Sequence, residues 1–175
     1  MVAQALKFAV DIYRPCAVIC TGYCGSLSTD GPGVGDIAVA TSVLTPEEDT
    51  IHTADTISEI LVAELRQCID QVVWDHMAKP NVRTGPFITT SHFVSSREDA
   101  DQLLQMGALF VEQEAYEIVK ACRTLGLPVG VAKVVRDIPG ISVGADRARL
   151  GKAICTAAII EVAKICDGQL ASGTA

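Results

Sequence analysis

The sequence contains no apolar run of about 18 residues, so no segment is predicted to cross a membrane as a helix. Aromatic residues are scarce, 5% of the chain against 49% hydrophobic residues overall, which predicts a core built from Val, Ile, Leu and Ala. Positive charge is also in short supply: 14 Lys and Arg face 21 Asp and Glu, a net charge of −7. Phosphate backbones select for clustered cations, so nucleic acid is not expected as a partner. Close thiolate pairs are missing. The seven cysteines stand at 16, 20, 24, 68, 122, 155 and 166, without the paired spacing that a zinc knuckle needs. They are expected to be buried, small, apolar residues of a reducing compartment, with Cys24 set apart by its place in a loop. His52, His76 and His92 are scattered and read as solvated or hydrogen-bonded. No metal site and no cofactor are expected. The N-terminus lacks the basic region and small-residue cleavage site of a signal peptide, so a cytoplasmic protein is the simplest expectation.

What is present is an alternation of strand-like and helix-like segments in a chain of 175 residues, the length of one domain with a sizeable core. The spacing predicts a helix over 3–13 ending before Pro15, a short buried strand over 16–20, and a glycine-bearing loop, "TGYCGS". A second strand, "GDIAVATSVL", follows the turn "DGPGVGD". Residues 56–77 read as a helix, 85–96 as a strand running into a polar loop, and 97–107 as a short helix closed by Gly107. Residues 109–126 begin extended and become helical from Ala115, stopping at Gly126. A strand, "LPVGVAKVVRDIPG", and a long helix over 146–166 with a frayed tail complete the order. This alternation predicts an α/β domain over 1–175: three layers, α-β-α, around a largely parallel or mixed sheet. Ligands of such sheets bind beyond the carboxyl ends of strands, here "TGYCGS", "TSHFVSS" and "VVRDIPG", with "VEQEAYE" as a fourth wall.

Each motif has two readings. Gly22 and Gly25 suit any tight turn, or a loop whose N–H groups approach a ligand. The acidic cluster Glu112, Glu114 and Glu117 suits a solvated helix start, yet it follows the apolar "GALFV" as if emerging from a core. Asp137 is either a turn former or a strand-end functional group. Phe93 either plugs the core or stacks on a planar ring.

In order, these elements resemble the nucleoside phosphorylase/nucleosidase superfamily, in particular 5′-methylthioadenosine/S-adenosylhomocysteine nucleosidases. "VICTGYCGSLSTDGPGVGDIAVAT" is similar to the strand, "TGxAGGL" loop and "VGDIVV" strand of that family. "ITTSHFVSS" is similar to its purine-side segment, and "GALFVEQEAYEIVKACRTLGLPVGVAKVVRD" to its "GAxAVEMEAxAIAxVCxxxGVPFxxIRxISD" signature. The resemblance implies a nucleoside phosphorylase-like fold, purine nucleoside as ligand, and hydrolysis of its N-glycosidic bond. Non-catalytic nucleoside binding or assembly, and phosphate-dependent cleavage, are the alternatives.

The resemblance also implies roles for single residues. Asp137 matches the acid that protonates the departing purine at N7, and Glu114 the carboxylate that holds the ribose hydroxyls. Gln113 takes the methionine position beneath the sugar, and Glu112 is the first glutamate of the motif. Phe93 matches the aromatic against the base and Val94 the position whose backbone reads its edge. Cys24 and Gly25 fall on the loop beside ribose and base. Tyr23 stands where a phosphorylase places a phosphate-binding Ser or Thr, which favours hydrolysis. Arg136, in the place of the usual serine, is positioned to pair with Asp137 and lower its pKa. The family carries roughly 50 further N-terminal residues on the scale of a usual domain, including a strand and the glutamate that activates water. Residues 1–14 match neither, so the chain is expected to be N-terminally shortened. Its sheet would then leave an edge or apolar face open, and a homo-oligomer is expected.

Overall fold

A computed structural model describes all residues except 1, 54, 75–77, 142–145 and 172–175. Five helices and six strands follow one another as α1 (Val2–Tyr13), β1 (Val18–Ser26), β2 (Ile37–Leu44), β3 (Ile51–His52), α2 (Asp55–Asp70), β4 (Val82–Thr89), α3 (Arg97–Gln105), β5 (Phe110–Glu112), α4 (Ala115–Thr124), β6 (Val129–Asp137) and α5 (Asp146–Ala171). Helices cover both sides of a mixed sheet in the order β3-β2-β4-β5-β1-β6. Pairs β1–β6, β2–β4 and β4–β5 are parallel, while β1–β5, β2–β3 and β2–β6 are antiparallel. The β2–β6 pairing, Ile37–Val39 against Ala132–Val134, joins the sheet back to itself. Five strands thus form a ring, and only β3, among the described strands, has a single neighbour. Apart from the outer side of the short β3, the open sheet edge expected from the sequence is therefore closed within the chain.

The helices form where the sequence supplies an apolar stripe and a stop. In α2, Ile57, Leu61, Leu65 and Ile69 repeat every four residues and are all buried. Ile57 and Leu61 press on β6 at Gly130, where an added Cβ would lie 2.5 and 2.7 Å from their side chains. Helix α5 buries Ala148, Gly151, Cys155, Ala158 and Val162 at alternating spacings of three and four. Its Gly151 approaches so closely that a Cβ would stand 2.7 Å from the carbonyl oxygen of Gly35 and 2.8 Å from Val134. Arg14, with φ +45°, and Pro15 end α1. Helix α3 opens with Ser96, whose Oγ accepts from the N–H of Asp99 at 3.0 Å.

Three local expectations are corrected. The "TGYCGS" stretch is not a loop: β1 runs through it to Ser26, because Thr21–Cys24 pair in register with Ala132–Val135 of β6. Helix α2 stops at Asp70, earlier than the apolar pattern suggests, and its expected end at 75–77 lies outside the described residues. Helix α5 reaches Ala171 and so includes residues expected to fray. The two-residue β3 has too little periodicity to be seen in sequence. Among the described cysteines, Cys20, Cys24, Cys122 and Cys155 are buried and free, whereas Cys16 is exposed. His52 and His92 are exposed, and His76 lies outside the described residues. No helix is long and apolar enough, among the described residues, to cross a membrane.

Candidate functional site

The ring places the carboxyl ends of four strands around one cavity of about 770 Å³, within the usual range for small-molecule sites. Thr21–Gly25 of β1 form one wall, the 90–94 segment after β4 a second, Val111–Glu114 a third, and Lys133, Arg136 and Asp137 of β6 a fourth. Strands β1 and β5 overlap only at Gly25–Val111 and Ser26–Phe110, which is how ends of oppositely directed strands meet at one place. All eight residues singled out from the sequence, Cys24, Gly25, Phe93, Val94, Glu112, Gln113, Glu114 and Asp137, line this cavity.

Their settings differ. Glu112 is buried, and each of its oxygens is occupied. Its Oε2 accepts from Lys133 Nζ at 2.6 Å and from the N–H groups of Glu114 and Ala115, both at 2.8 Å. Its Oε1 accepts from the hydroxyl of Thr89. Thr89 Oγ1 in turn accepts from the N–H of Tyr116 at 3.0 Å. Glu112 and Thr89 together satisfy three orphan N–H groups at the start of α4, and the negative charge suits the dipole there. Glu114 leaves this frame with its side chain 64% exposed to the cavity and solvent, and Oε2 lies 3.3 Å from Lys133 Nζ.

Lys133 is the cavity residue that the reading of the sequence missed. Its side chain is 2% exposed, and it ties both glutamates to β6. Burial alone pulls its pKa down, but the Glu112 carboxylate, with Cys20 and Glu114, outweighs that effect, and the ammonium is held above its ordinary value. The signal was present: a single charge inside the apolar run "VGVAKVV" must find a buried partner.

Asp137 is half-buried at the end of β6. The ladder with β1 steps from Cys24–Val135 directly to Gly25–Asp137, so Arg136 is an extra, bulged residue. In a regular strand, successive side chains point to opposite faces; the bulge allows both Arg136 and Asp137 to line the cavity. Gly25 makes the room, since a Cβ there would stand 3.0 Å from both Asp137 Oδ1 and Val111 Cγ1. Burial raises the Asp137 pKa above the ordinary carboxylate value, and Arg136 only partly offsets this. The expected Arg136–Asp137 ion pair is not formed. The guanidinium lies instead 5.6 Å from the centre of the Tyr23 ring, which also carries Lys152 Nζ at 4.7 Å.

Cys24, expected in a loop, is a buried strand residue whose thiol pKa is pushed well up by burial. Cys20, four residues earlier on the same face, is pushed up to about 11 for the same reason. Neither thiol is a ready nucleophile. Phe93 is 67% exposed at the cavity mouth and is no core plug, whereas Val94 is buried against α3 residues Ala100 and Leu103. Thr90, whose hydroxyl donates to the carbonyl of His92 at 2.9 Å, fixes the turn that presents this pair.

No curated protein matches the sequence significantly. Solved structures do. A 5′-methylthioadenosine/S-adenosylhomocysteine nucleosidase from Colwellia psychrerythraea, in complex with adenine, is 21% identical with a TM-score of 0.73, covering 91% of this chain and 72% of that one. A structure described as a putative methylthioadenosine nucleosidase from Weissella paramesenteroides is 16% identical with a TM-score of 0.76, covering 93% and 75%. A futalosine hydrolase from Helicobacter pylori is 19% identical with a TM-score of 0.65, covering 95% and 74%. At these identities the likeness establishes the fold. The family follows from the sequence itself: the model of the phosphorylase superfamily matches residues 1–167, nearly the whole chain, and the protein belongs to that superfamily.

Proposed function

We propose that the cavity binds a purine nucleoside of the methylthioadenosine or adenosylhomocysteine type and that the chain hydrolyses its N-glycosidic bond. The observation that carries this reading is the pairing of two unlike carboxyl groups on one cavity. Asp137 is half-buried with a raised pKa, suited to hold a proton, while Glu114 is exposed and faces a buried ammonium. Cleavage pushes electrons onto the purine, and a protonated Asp137 near N7 would make that base a better leaving group. Positive charge grows on the ribose at the same time, where Glu114 is the stabilising carboxylate. Glu112 and Lys133 do not act on the substrate in this reading; they fix the backbone from which Glu114 projects. Phe93 and the Val94 backbone receive the base, Gln113 lies beneath the sugar, and Cys24 with Gly25 closes the β1 wall.

The test is release of free base from methylthioadenosine, adenosylhomocysteine, adenosine and inosine, with and without phosphate. Release without phosphate is expected. Release only with phosphate overturns hydrolysis in favour of phosphorolysis, and tight binding with no release leaves a nucleoside-binding module. Asp137→Asn is expected to lower the rate about 10²–10⁴-fold, the usual scale for removing a general acid; full activity in that variant refutes the acid role.

Two further readings belong here. Phe8, Ile12 and Tyr13 of α1 are 69%, 54% and 77% exposed, which supports a homo-oligomer built on that helix. Light scattering that finds a monomer at micromolar concentration counts against it. Cys16, Cys20, Cys24, Cys68, Cys122 and Cys155 are free, which supports a reducing, cytoplasmic setting, and the nucleoside proposed above as ligand would give the protein a place in nucleoside salvage from methionine metabolism.

A further inference from the structure

Three of the cavity walls leave the sheet as separate segments: Leu27 directly after β1, Ser95 and Ser96 after the Phe93–Val94 pair, and Ile138–Ile141 after Asp137. The β1–β6 ladder ends at Gly25–Asp137 and β4 ends at Thr89, so among the described residues no strand pairing ties the three segments to one another. An acid on one segment and a base seat on another nevertheless need a fixed separation, since a misplacement of about 1 Å can cost on the order of 10² in rate.

Arg97, the first residue of α3, reaches all three. Its Nη2 donates to the carbonyl oxygen of Leu27, a bond between residues 70 positions apart. Nη2 and Nε both donate to Asp101 Oδ1, at 2.6 and 2.9 Å. Alone, that pair would be an ordinary contact along a helix face; here it steadies the guanidinium that carries the Leu27 bond. The backbone of Arg97 is also the floor beneath the segment after Asp137. A Cβ on Gly140 would stand 3.3 Å from Arg97 Cβ and 3.6 Å from its N, and the φ of +80° at Gly140 suits glycine. Gly140 N–H donates to the carbonyl of Ser95 at 3.0 Å, and Ile141 N–H to that of Ile138 at 2.9 Å, which closes a turn beside the cavity-lining Ile141. Leu27 is fully buried in one cluster with Val94, Ala100 and Leu103, so a shift of Leu27 is passed to the base-side wall.

We propose that Arg97 is a positioning residue for N-glycosidic cleavage. It clamps the segments that follow β1, β4 and β6, and so keeps Asp137 in place against Phe93 and Val94. Arg97 does not itself line the cavity, and it acts through these residues. The proposal rests on the nucleoside reading above and adds the residue that sets the separation of acid and base. The clamp uses Nη2 and Nε alone, because Nη1 is buried without a partner among the described residues. A lysine ammonium, with three donors, can therefore serve both Leu27 and Asp101, whereas methionine serves neither.

The experiment is steady-state release of adenine from methylthioadenosine by the full chain and by Arg97→Met, Arg97→Lys and Asp101→Asn. Chemical denaturation and native-state hydrogen exchange are measured on the same samples. Expected in Arg97→Met is a fall in kcat of about 10–100-fold with KM changed less than about threefold, as for lost alignment with binding retained. Arg97→Lys is expected to recover most of that loss. Asp101→Asn is expected to lose about twofold to fivefold, the scale of an exposed ion pair. Exchange of the Gly140 N–H should quicken in Arg97→Met and not in Arg97→Lys. Base release by the unsubstituted chain with unchanged kcat in Arg97→Met overturns this proposal alone, and so does a fall that vanishes once rates are corrected for the folded fraction. If Arg97→Met does not fold, Asp101→Asn carries the test, and an unchanged kcat there overturns the proposal. No base release by the unsubstituted chain overturns the nucleoside reading. Faster Gly140 exchange in Arg97→Met then still upholds the clamp, and unchanged exchange overturns both.

Discussion

The two charged walls of the cavity are built on opposite principles. On the β5–α4 side, Glu112 is buried with four donors on its two oxygens, and Lys133 spans two carboxylates. On the β1–β6 side, Arg136 lies against the face of Tyr23, which Lys152 of α5 also approaches, and neither cation forms an ion pair with a carboxylate among the described residues. Glu112 and Lys133 have spent their hydrogen-bonding capacity within the protein, so they are a scaffold from which Glu114 projects. Arg136 has kept its donors free of any carboxylate among the described residues while facing the cavity. A buried charge that lost its partner would be left with a large desolvation penalty, whereas an exposed cation without one is satisfied by water until a ligand arrives. Charge alone does not mark a functional group; the state of its partners does.

Breaking the scaffold is expected to have the largest effect. Lys133→Met leaves Glu112 buried beside an apolar chain, and a loss of about 3–5 kcal/mol of folding stability is expected by chemical denaturation, the scale for removing one partner of a buried pair. A loss below about 1 kcal/mol would show that the two walls do not differ in the way described. Gly25→Ala comes next. Its methyl group meets Asp137 and Val111, both at 3.0 Å, so a loss of about 1–3 kcal/mol is expected, with a larger fall in base release than stability alone explains. Retained activity would mean that the Asp137 carboxyl has room to move.

The two titratable tests are smaller and depend on sign. The folded-state pKa of Asp137 is raised, so the native state binds the extra proton. Stability associated with this group is present below the unfolded carboxylate pKa and is lost as pH rises through the folded value. Asp137→Asn is therefore expected to raise Tm at pH 7 and leave it unchanged near pH 3, even while it removes activity. A lower Tm at pH 7 contradicts the assignment. Arg136→Gln removes the influence that lowers the Asp137 pKa, so the alkaline limb of the pH–rate profile is expected to move to higher pH. An unmoved limb would mean that water screens Arg136 from Asp137.

The order of the long elements was legible because period and punctuation agree. Leu61, Leu65 and Ile69 repeat at helical spacing, and Gly107 and Gly126, with φ of +90° and +69°, stop α3 and α4 where the sequence indicates. The eight cavity residues were legible as positions in ordered motifs, without any knowledge of how the strands meet. Three things were not legible. The β2–β6 pairing is made by residues nearly a hundred positions apart, and no local pattern encodes it. The extension of β1 through "TGYCGS" was hidden by two glycines that signal a turn, although Gly25 is there to leave space for Asp137. The Arg136 bulge hid too, because adjacent opposite charges invite an ion pair on paper, and only the seat of the guanidinium on the Tyr23 ring shows the two charges parted.

That ladder register has one more consequence. Arg136 is the residue in β6 that β1 does not count: it sits between two paired positions and faces no partner of its own. Its neighbours on either side are tied to Cys24 and Gly25, so exchanging it changes neither the register of the sheet nor the aim of the acid beside it. The fold therefore places one unpaired position on the cavity wall, where a side chain can be exchanged while the paired residues on either side hold the β1–β6 ladder in place.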